Sequence, residues 1–159
     1  MSLKEQIQTE LTAAMRSGDA LRRDVLRMVT SSAYNLEKRQ QKPLSEDDLI
    51  GVLGREVKTR RESVEAFRKG GREELASKEE AEIAIIQEFL PQALSEEELR
   101  SLVDEAIAAT GASSARDMGK AMGWLAPRTR GRADGKHVSE LVAQALARAD
   151  VAGHDRAAG

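Results

Sequence analysis

The sequence predicts an all-α protein: an N-terminal long-helix domain followed by a small C-terminal three-helix tail domain. Apolar residues recur at steps of three and four along almost the whole chain, which is the period of an amphipathic helix. Aromatic residues make up only 3% of the 159 residues, so the core must be built from aliphatic side chains and methionine. Capping residues precede several of these stripes, and glycine or proline ends most of them.

Two helices are predicted in the first 43 residues. The first ends at Gly18, and the second begins near Asp19 and ends in the polar run 38–43. Their apolar stripes are Leu3, Ile7, Leu11, Ala14 and Met15 in the first, and Leu21, Val25, Leu26, Val29, Ala33 and Leu36 in the second. Each stripe covers one face, as expected of a helix that packs against a core.

A third and a fourth helix are predicted before Pro91. The third begins with Ser45 and Asp48, which have the spacing of a capping box, and it ends at Gly70. The fourth ends before Pro91, because a proline ring disfavours helical geometry in the preceding residue. Their stripes are Leu49, Val52, Leu53, Val57, Val64 and Phe67, then Leu75, Ile83, Ile86 and Leu90.

The domain boundary is predicted at Pro91, with a linker at residues 91–94 between an N-terminal domain (residues 1–90) and a tail domain (residues 95–150). The three tail helices begin at Ser95 with Glu98, at Ser114 with Asp117, and at Asp134. Their apolar residues are Leu99, Leu102, Val103, Ala106 and Ile107, then Met118, Ala121, Met122 and Leu125, then Val138, Leu141, Val142, Ala145 and Leu146. Residues 151–159 have no periodicity and are predicted to form a disordered tail.

Composition excludes several classes of protein. The 25 Lys and Arg against 27 Asp and Glu give a net charge of -2, which excludes a globally basic coat for nucleic acid but not a local basic patch. The absence of cysteine removes disulfides and thiolate chemistry. No apolar run approaches the roughly 20 residues of a membrane span, and the N-terminus has no apolar signal segment. We therefore expect a cytoplasmic protein that does not bind a membrane.

No catalytic constellation, metal site or cofactor site is predicted. The segment from Gly131 to Lys136 differs from a phosphate-binding loop, because three residues rather than four separate its glycines and His137 replaces Ser or Thr. His137 and His154 are too few to hold a metal by themselves. The acidic clusters are interpreted as solvated helix faces and caps; they are Asp47–Asp48, Glu79–Glu80 and Glu96–Glu98. The chain alone is not expected to be an enzyme.

Two segments are locally basic. Between residues 113 and 138, six cationic residues against two acidic ones leave +4, and the cations are Arg116, Lys120, Arg128, Arg130, Arg132 and Lys136. If residues 128–132 are extended, their three alternate arginines point the same way and suit a phosphate backbone. The alternative is that they only solvate a tight turn. A second excess of +4, between residues 16 and 42, is interpreted as a solvated helix face.

Four glycines are candidates for close backbone approach. Gly119 and Gly123 lie four apart within a helical pattern, where each costs about 1 kcal/mol relative to alanine. They share one face, which suits close approach of a neighbouring helix or of a sugar–phosphate chain. Spacing alone favours the neighbouring helix. Gly131 and Gly135 most simply supply turn geometry ahead of the last helix.

Six segments of the chain carry a family signature: residues 21–28, 56–72, 79–82, 89–91, 117–125 and 131–138. Together they resemble the GatB/YqeY family. The resemblance implies a helical N-terminal domain and a tail domain related to the GatB subunit of the glutamine-dependent aspartyl/glutamyl-tRNA amidotransferase. In that enzyme the tail module helps to hold the tRNA body. The portion of GatB that activates the aminoacyl end has no counterpart here, so the label of carbon–nitrogen ligase describes the relative.

Three functions are compatible with these observations. The first is a non-catalytic tRNA- or aminoacyl-tRNA-associated module, with RNA-binding residues Lys120, Arg128, Arg130, Arg132 and Lys136. The second is a protein-interaction adaptor with no RNA role, and the third is an accessory of a carbon–nitrogen ligase complex. The expected partners are tRNA and a protein of tRNA-dependent amidation or translation. The scarcity of aromatic residues favours recognition of RNA by shape and phosphate contacts rather than by stacking.

Overall fold

The computed structural model describes the backbone of residues 1–158 and the side chains of residues 1–153. Within this part the chain forms seven α-helices and no strand, which confirms the all-α prediction. The helices are α1 Leu3–Ser17, α2 Ala20–Gln40, α3 Glu46–Lys69, α4 Glu73–Gln87, α5 Glu96–Thr110, α6 Met118–Thr129 and α7 Gly135–Ala158, with a short 3₁₀ turn at Ala115–Asp117. The chain divides into two compact units, Met1–Pro91 and Gln92–Gly159.

The first unit packs α1 to α4 around one aliphatic core. Its buried residues are Leu3, Ile7, Leu11, Val25, Leu26, Val29, Leu49, Leu53, Val57, Val64, Ala76, Ile83 and Ile86. The predicted capping box of α3 is present: the Asp48 amide donates to Ser45 Oγ (3.0 Å), and the Ser45 amide donates to Asp48 Oδ2 (3.1 Å). These bonds satisfy amide groups that the first turn leaves without partners.

Two residues of the predicted stripes lie outside the core. Met15 is 53% exposed and Leu75 is 39% exposed, so assigning both to the core was wrong. Their neighbours Ala14 and Ala76 are buried instead. Consecutive helical residues are separated by about 100° around the axis, so one of two adjacent apolar residues can turn away from the core, as Met15 does beside Ala14 and Leu75 beside Ala76.

The first unit also buries one charged side chain, Arg60, which is 4% exposed. Its Nη1 donates to Glu56 Oε2 at 2.6 Å and its Nε donates to Glu82 Oε2 at 3.2 Å. Glu82 lies on α4, so this ion pair joins α3 to α4. A buried charge is stable only when it is paired, and Arg60 has two carboxylates.

The second unit packs α5, α6 and α7 around a separate core. All five predicted α7 residues are buried: Val138, Leu141, Val142, Ala145 and Leu146. Residues 92–94 are held by Arg132, whose Nε donates to the Gln92 carbonyl (2.9 Å) and whose carbonyl accepts from the Leu94 amide (2.8 Å). Within the described residues, no helix combines the length and the apolar character needed to cross a membrane.

The last helix is longer than the sequence pattern indicates. Residues 151–159 were expected to be disordered, whereas α7 continues to Ala158. The segment is rich in alanine, which has the strongest helix propensity, and Gly153 alone does not end the helix. The side chains of residues 154–159, including His154, lie outside the described set.

Candidate functional site

The outer face of α6 belongs to an exposed strip that combines cationic side chains with glycines, which have no side chain. The strip begins with the exposed Arg116 in the 3₁₀ turn before α6 and continues along α6 with the exposed residues Gly119, Lys120, Gly123 and Pro127. Gly119 and Lys120 are adjacent, and the other neighbours in the strip are three or four residues apart, which keeps them on one face. The opposite face is fully buried, with Ala121 and Leu125 in the core. Because that buried face fixes the rotation of α6, the strip is held toward solvent.

The two glycines of this strip do not pack against the rest of their own chain. Apart from the adjacent residues and the nearby backbone of the same helix, no atom lies within 4 Å of the position that a Cβ would take at Gly119, Gly123 or Gly135. Within the described residues no neighbouring helix of this chain approaches Gly119 or Gly123, so the close approach predicted for these glycines stays a prediction. Gly131 has a φ of 72°, in the left-handed region, which agrees with its predicted role in a turn.

Pro127 changes the hydrogen bonding of the same strip. In an α-helix the amide of residue 127 would donate to the carbonyl of residue 123, but proline has no N–H. The Gly123 carbonyl therefore lacks its ordinary helical donor. Gly123 is exposed and has no side chain, so its backbone is open to solvent on the side away from the Pro127 ring.

Arg128 lies in the last turn of α6 rather than in the connecting loop. Its guanidinium stacks on the Trp124 ring at 3.6 Å from the centroid, and its Nη1 donates to the Trp124 carbonyl at 2.5 Å. A guanidinium over an indole face is held by cation–π attraction. Arg128 is exposed, so it presents its outer plane to solvent.

The connection between α6 and α7 is a tight turn, which is the second of the two alternatives for residues 128–132. The amides of Arg132 and Ala133 both donate to the Thr129 carbonyl, at 2.9 and 3.1 Å. Arg130 is exposed at the end of α6, whereas Arg132 is half-buried and binds Gln92. The three arginines therefore do not form one aligned set, and Arg132 is a structural residue of the second unit.

The two predicted lysines are both exposed, but they lie on different helices. Lys120 lies 3.8 Å from Asp117 and its side chain is 69% exposed. The Ser113 amide donates to Asp117 and holds the pKa of that carboxyl below its usual value, so Asp117 stays ionised beside Lys120. Lys136 lies in the first turn of α7.

His137 links the beginnings of two helices. Its Nε2 lies 2.7 Å from Glu96 Oε2, which joins the first turn of α7 to the first turn of α5. This hydrogen bond lowers the pKa of Glu96. No local sequence pattern indicates this partner, because 41 residues separate His137 and Glu96 in the chain.

Of the five predicted RNA-binding residues, α6 carries Lys120 and Arg128. Sequence reasoning counted Arg116 in the basic segment but did not select it, and it attached no role to Trp124 or Pro127. The signal that could have identified these residues is their helical spacing: four residues from Arg116 to Lys120, four from Lys120 to Trp124, and three from Trp124 to Pro127.

The chain belongs to the family of YqeY-like proteins, whose sequence model matches residues 4–146. A relative from Pyrenophora tritici-repentis, named altered inheritance of mitochondria protein 41, is 26% identical over 144 residues, which cover 89% of this chain and 79% of the relative. An uncharacterized protein of Schizosaccharomyces pombe is 33% identical over 92 residues, or 57% of this chain and 74% of the relative. An Eremothecium gossypii protein with the first relative's name is 33% identical over 95 residues, or 57% and 52%.

These relatives contradict the expected cytoplasmic location. Two of the three, and two further fungal relatives, are named as mitochondrial proteins. The expectation rested on the absence of cysteine, of a membrane-span run and of an apolar signal segment. None of these features distinguishes the cytoplasm from the interior of an organelle, so the inference had no physical basis for choosing between them.

Proposed function

We propose that this protein is a non-catalytic module that binds tRNA or aminoacyl-tRNA through the outer face of α6. The observation that carries the proposal is the strip in which Arg116 and Lys120 alternate with the bare backbone of Gly119 and Gly123. Arginine and lysine neutralise phosphates, which supplies most of the affinity of proteins for nucleic acid. The missing side chains allow a sugar–phosphate chain to approach the helix closely.

The strip favours contacts with a sugar–phosphate backbone over contacts with unpaired bases, because its exposed cations and glycines offer charge and close approach but no aromatic ring. Stacking of unpaired bases receives no such support, because Arg128 already covers one face of Trp124. Contacts with the sugar–phosphate backbone recognise the shape of the nucleic-acid helix and its phosphates.

The resemblance of residues 117–125 and 131–138 to the GatB tail supports the same function. In the amidotransferase that tail helps to hold the tRNA, while a different part of GatB performs the chemistry. The proposed role therefore needs no catalytic residue or cofactor in this chain. Lys136 and Arg130 extend the proposed contact beyond α6, whereas Arg132 acts by holding residues 92–94.

Fluorescence anisotropy with labelled tRNA across a salt series tests this proposal. Replacing Arg116 and Lys120 by alanine should weaken binding and reduce the slope of log affinity against log salt by about 1.4 to 1.8, or roughly 0.7 to 0.9 for each lost phosphate contact. The matched control replaces Lys58 and Arg61, two exposed residues of α3, and should leave the slope unchanged. Equal slopes for all three proteins would overturn the proposal.

A protein-interaction adaptor is the second candidate, and one observation favours it. The first unit has a cleft of about 320 Å³ between α1, α2 and the start of α3, lined mainly by apolar side chains. Tyr34 borders this cleft and is 60% exposed. If the wild-type protein binds no tRNA at low salt, this cleft becomes the better candidate for the working surface, either for a free-standing adaptor or for an accessory of a ligase complex.

A further inference from the structure

A second cleft, of about 260 Å³, lies between α2 and α3 in the first unit, away from the proposed RNA surface. It is lined by Ser32, Asn35, Leu36 and Arg39 of α2 and by Val52, Arg55 and Glu56 of α3. On each helix these residues are separated by steps of three and four, so each set occupies one face. The cleft is therefore formed where two helix faces meet.

The pairing of the two helices places Arg39 and Arg55 at opposite ends of this cleft. Ser32 Oγ donates to Glu56 Oε1 at 2.8 Å, and Gln40 Nε2 donates to Asp48 Oδ2 at 3.4 Å, which defines an antiparallel register. In this register Arg39 lies opposite residue 49. Arg55 is six residues further along α3, so the two arginines begin about 9 Å apart along the axis. Both residues line the cleft, one from each helix.

The charges of the cleft are unbalanced. Its one carboxylate, Glu56, is already engaged by Arg60 Nη1 at 2.6 Å and by the Ser32 hydroxyl at 2.8 Å. Neither Arg39 nor Arg55 forms a salt bridge with any residue whose side chain the structure describes. Two guanidinium groups that share a cleft without a carboxylate partner provide an environment suited to a bound anion.

We propose that Arg39 and Arg55, with the Asn35 amide between them, form a binding site for a phosphate group. Each guanidinium offers a planar fork of donors that matches two oxygens of a phosphate. A tetrahedral dianion presents oxygens to both forks and balances two positive charges, whereas a carboxylate presents one edge and one charge. The ligand is a phosphorylated small molecule or a phosphate of RNA.

Amide chemical shifts of the isotope-labelled full chain, titrated with inorganic phosphate at constant ionic strength, test this site. Saturable shifts should be confined to residues 32–39 and 52–56. Arg39→Gln and Arg55→Gln should each weaken phosphate binding about tenfold or more, as expected for loss of a charge-assisted hydrogen bond. Arg61→Gln is the matched control, because Arg61 is exposed on the same helix but lies about 240° around the axis from Arg55.

Two further arms separate geometry from charge and identify the source of the phosphate. Arg55→Lys keeps the charge but loses the fork, and should bind phosphate more weakly than the wild type; acetate should bind more weakly than phosphate. Displacement of phosphate by a short single-stranded RNA would assign the site to an RNA backbone, and displacement only by pyrophosphate would assign it to small molecules.

Non-saturable shifts, or equal weakening of phosphate binding by Arg61→Gln, would contradict the proposed site. Arg39 and Arg55 are absent from the α6 strip, so this outcome is independent of the tRNA proposal.

Discussion

Replacing Gly119 and Gly123 together by alanine should stabilise the protein while weakening its binding to tRNA. Each glycine costs an exposed helix about 1 kcal/mol relative to alanine. The added methyl groups meet no atom within 4 Å, so nothing in the described chain opposes the gain. The free energy of unfolding should rise by about 2 kcal/mol, which raises Tm by roughly 4–8 °C for a chain of this length.

The same methyl groups would occupy the surface on which the RNA backbone is proposed to lie. We expect the affinity for tRNA to fall about tenfold, equivalent to about 1.4 kcal/mol. Calorimetry measures the melting temperature, and anisotropy at fixed salt measures the affinity. A higher Tm together with a weaker affinity for tRNA would show that the glycines act through contact with RNA and that the loss of binding is not a folding defect.

Gly153→Ala provides the matched control for this experiment. Gly153 is an exposed glycine of α7, and no atom lies within 4 Å of its Cβ position. Its replacement should raise Tm without altering tRNA affinity. A double variant at Gly119 and Gly123 that is more stable and binds tRNA as the wild type does would refute the reasoning that these glycines admit an RNA backbone.

Four further predictions follow from other parts of the structure. Arg132→Ala should lower the free energy of unfolding by about 1 kcal/mol, because it removes the hydrogen bond to the segment that precedes α5; urea denaturation measures this. Arg60→Met should lower the free energy of unfolding by about 3–5 kcal/mol at neutral pH, because two half-buried carboxylates lose their partner. Thermal denaturation measures this loss. In His137→Gln the lowered pKa of Glu96 should return toward its ordinary value, as followed by NMR titration of the Glu96 carboxyl carbon. Because the pKa of Glu96 is lower in the folded protein than in the unfolded chain, ionised Glu96 stabilises the folded state. This stabilisation is complete above the unfolded pKa and is lost as pH falls through the folded pKa. A fragment of residues 92–159 should fold alone, with a cooperative helical melt by circular dichroism, because it contains its own core.

Each of these predictions has a control or an outcome that contradicts it. Lys136→Ala should leave the free energy of unfolding unchanged. A loss equal to that of Arg132→Ala would contradict the prediction that Arg132 stabilises the fold through its hydrogen bond to Gln92. Arg61→Met should cost less than about 0.5 kcal/mol, as exposed substitutions usually do. An unchanged pKa of Glu96 in His137→Gln would assign the shift to Arg100, which lies 3.2 Å away. A non-cooperative melt of the fragment would reject an independent second domain.

Helix positions and cores follow closely from the sequence because they depend on local periodicity. The five apolar residues of α7 and the capping box at Ser45 are set by spacing and by backbone amides that need partners. Periodicity identifies a face, but it does not decide between adjacent apolar residues. The exposure of Met15 and Leu75 therefore depended on tertiary packing.

The candidate sites depended on contacts that no local pattern reveals. Arg60 is buried because Glu82, 22 residues away, faces it from another helix. Arg132 was grouped with Arg128 by alternate spacing, but the turn at Gly131 directs it toward Gln92. Composition could identify a basic segment, whereas the direction of each arginine required the folded backbone.

The location of bound tRNA on the protein surface tests the central claim most directly. Amide chemical shifts of the labelled protein, recorded with and without tRNA at low salt, give this location residue by residue. We predict that the largest changes occur in residues 116–128 of the outer α6 strip and disappear in the double variant at Arg116 and Lys120. Changes confined to the apolar cleft near Tyr34, or no saturable change anywhere, would contradict the claim that α6 binds RNA.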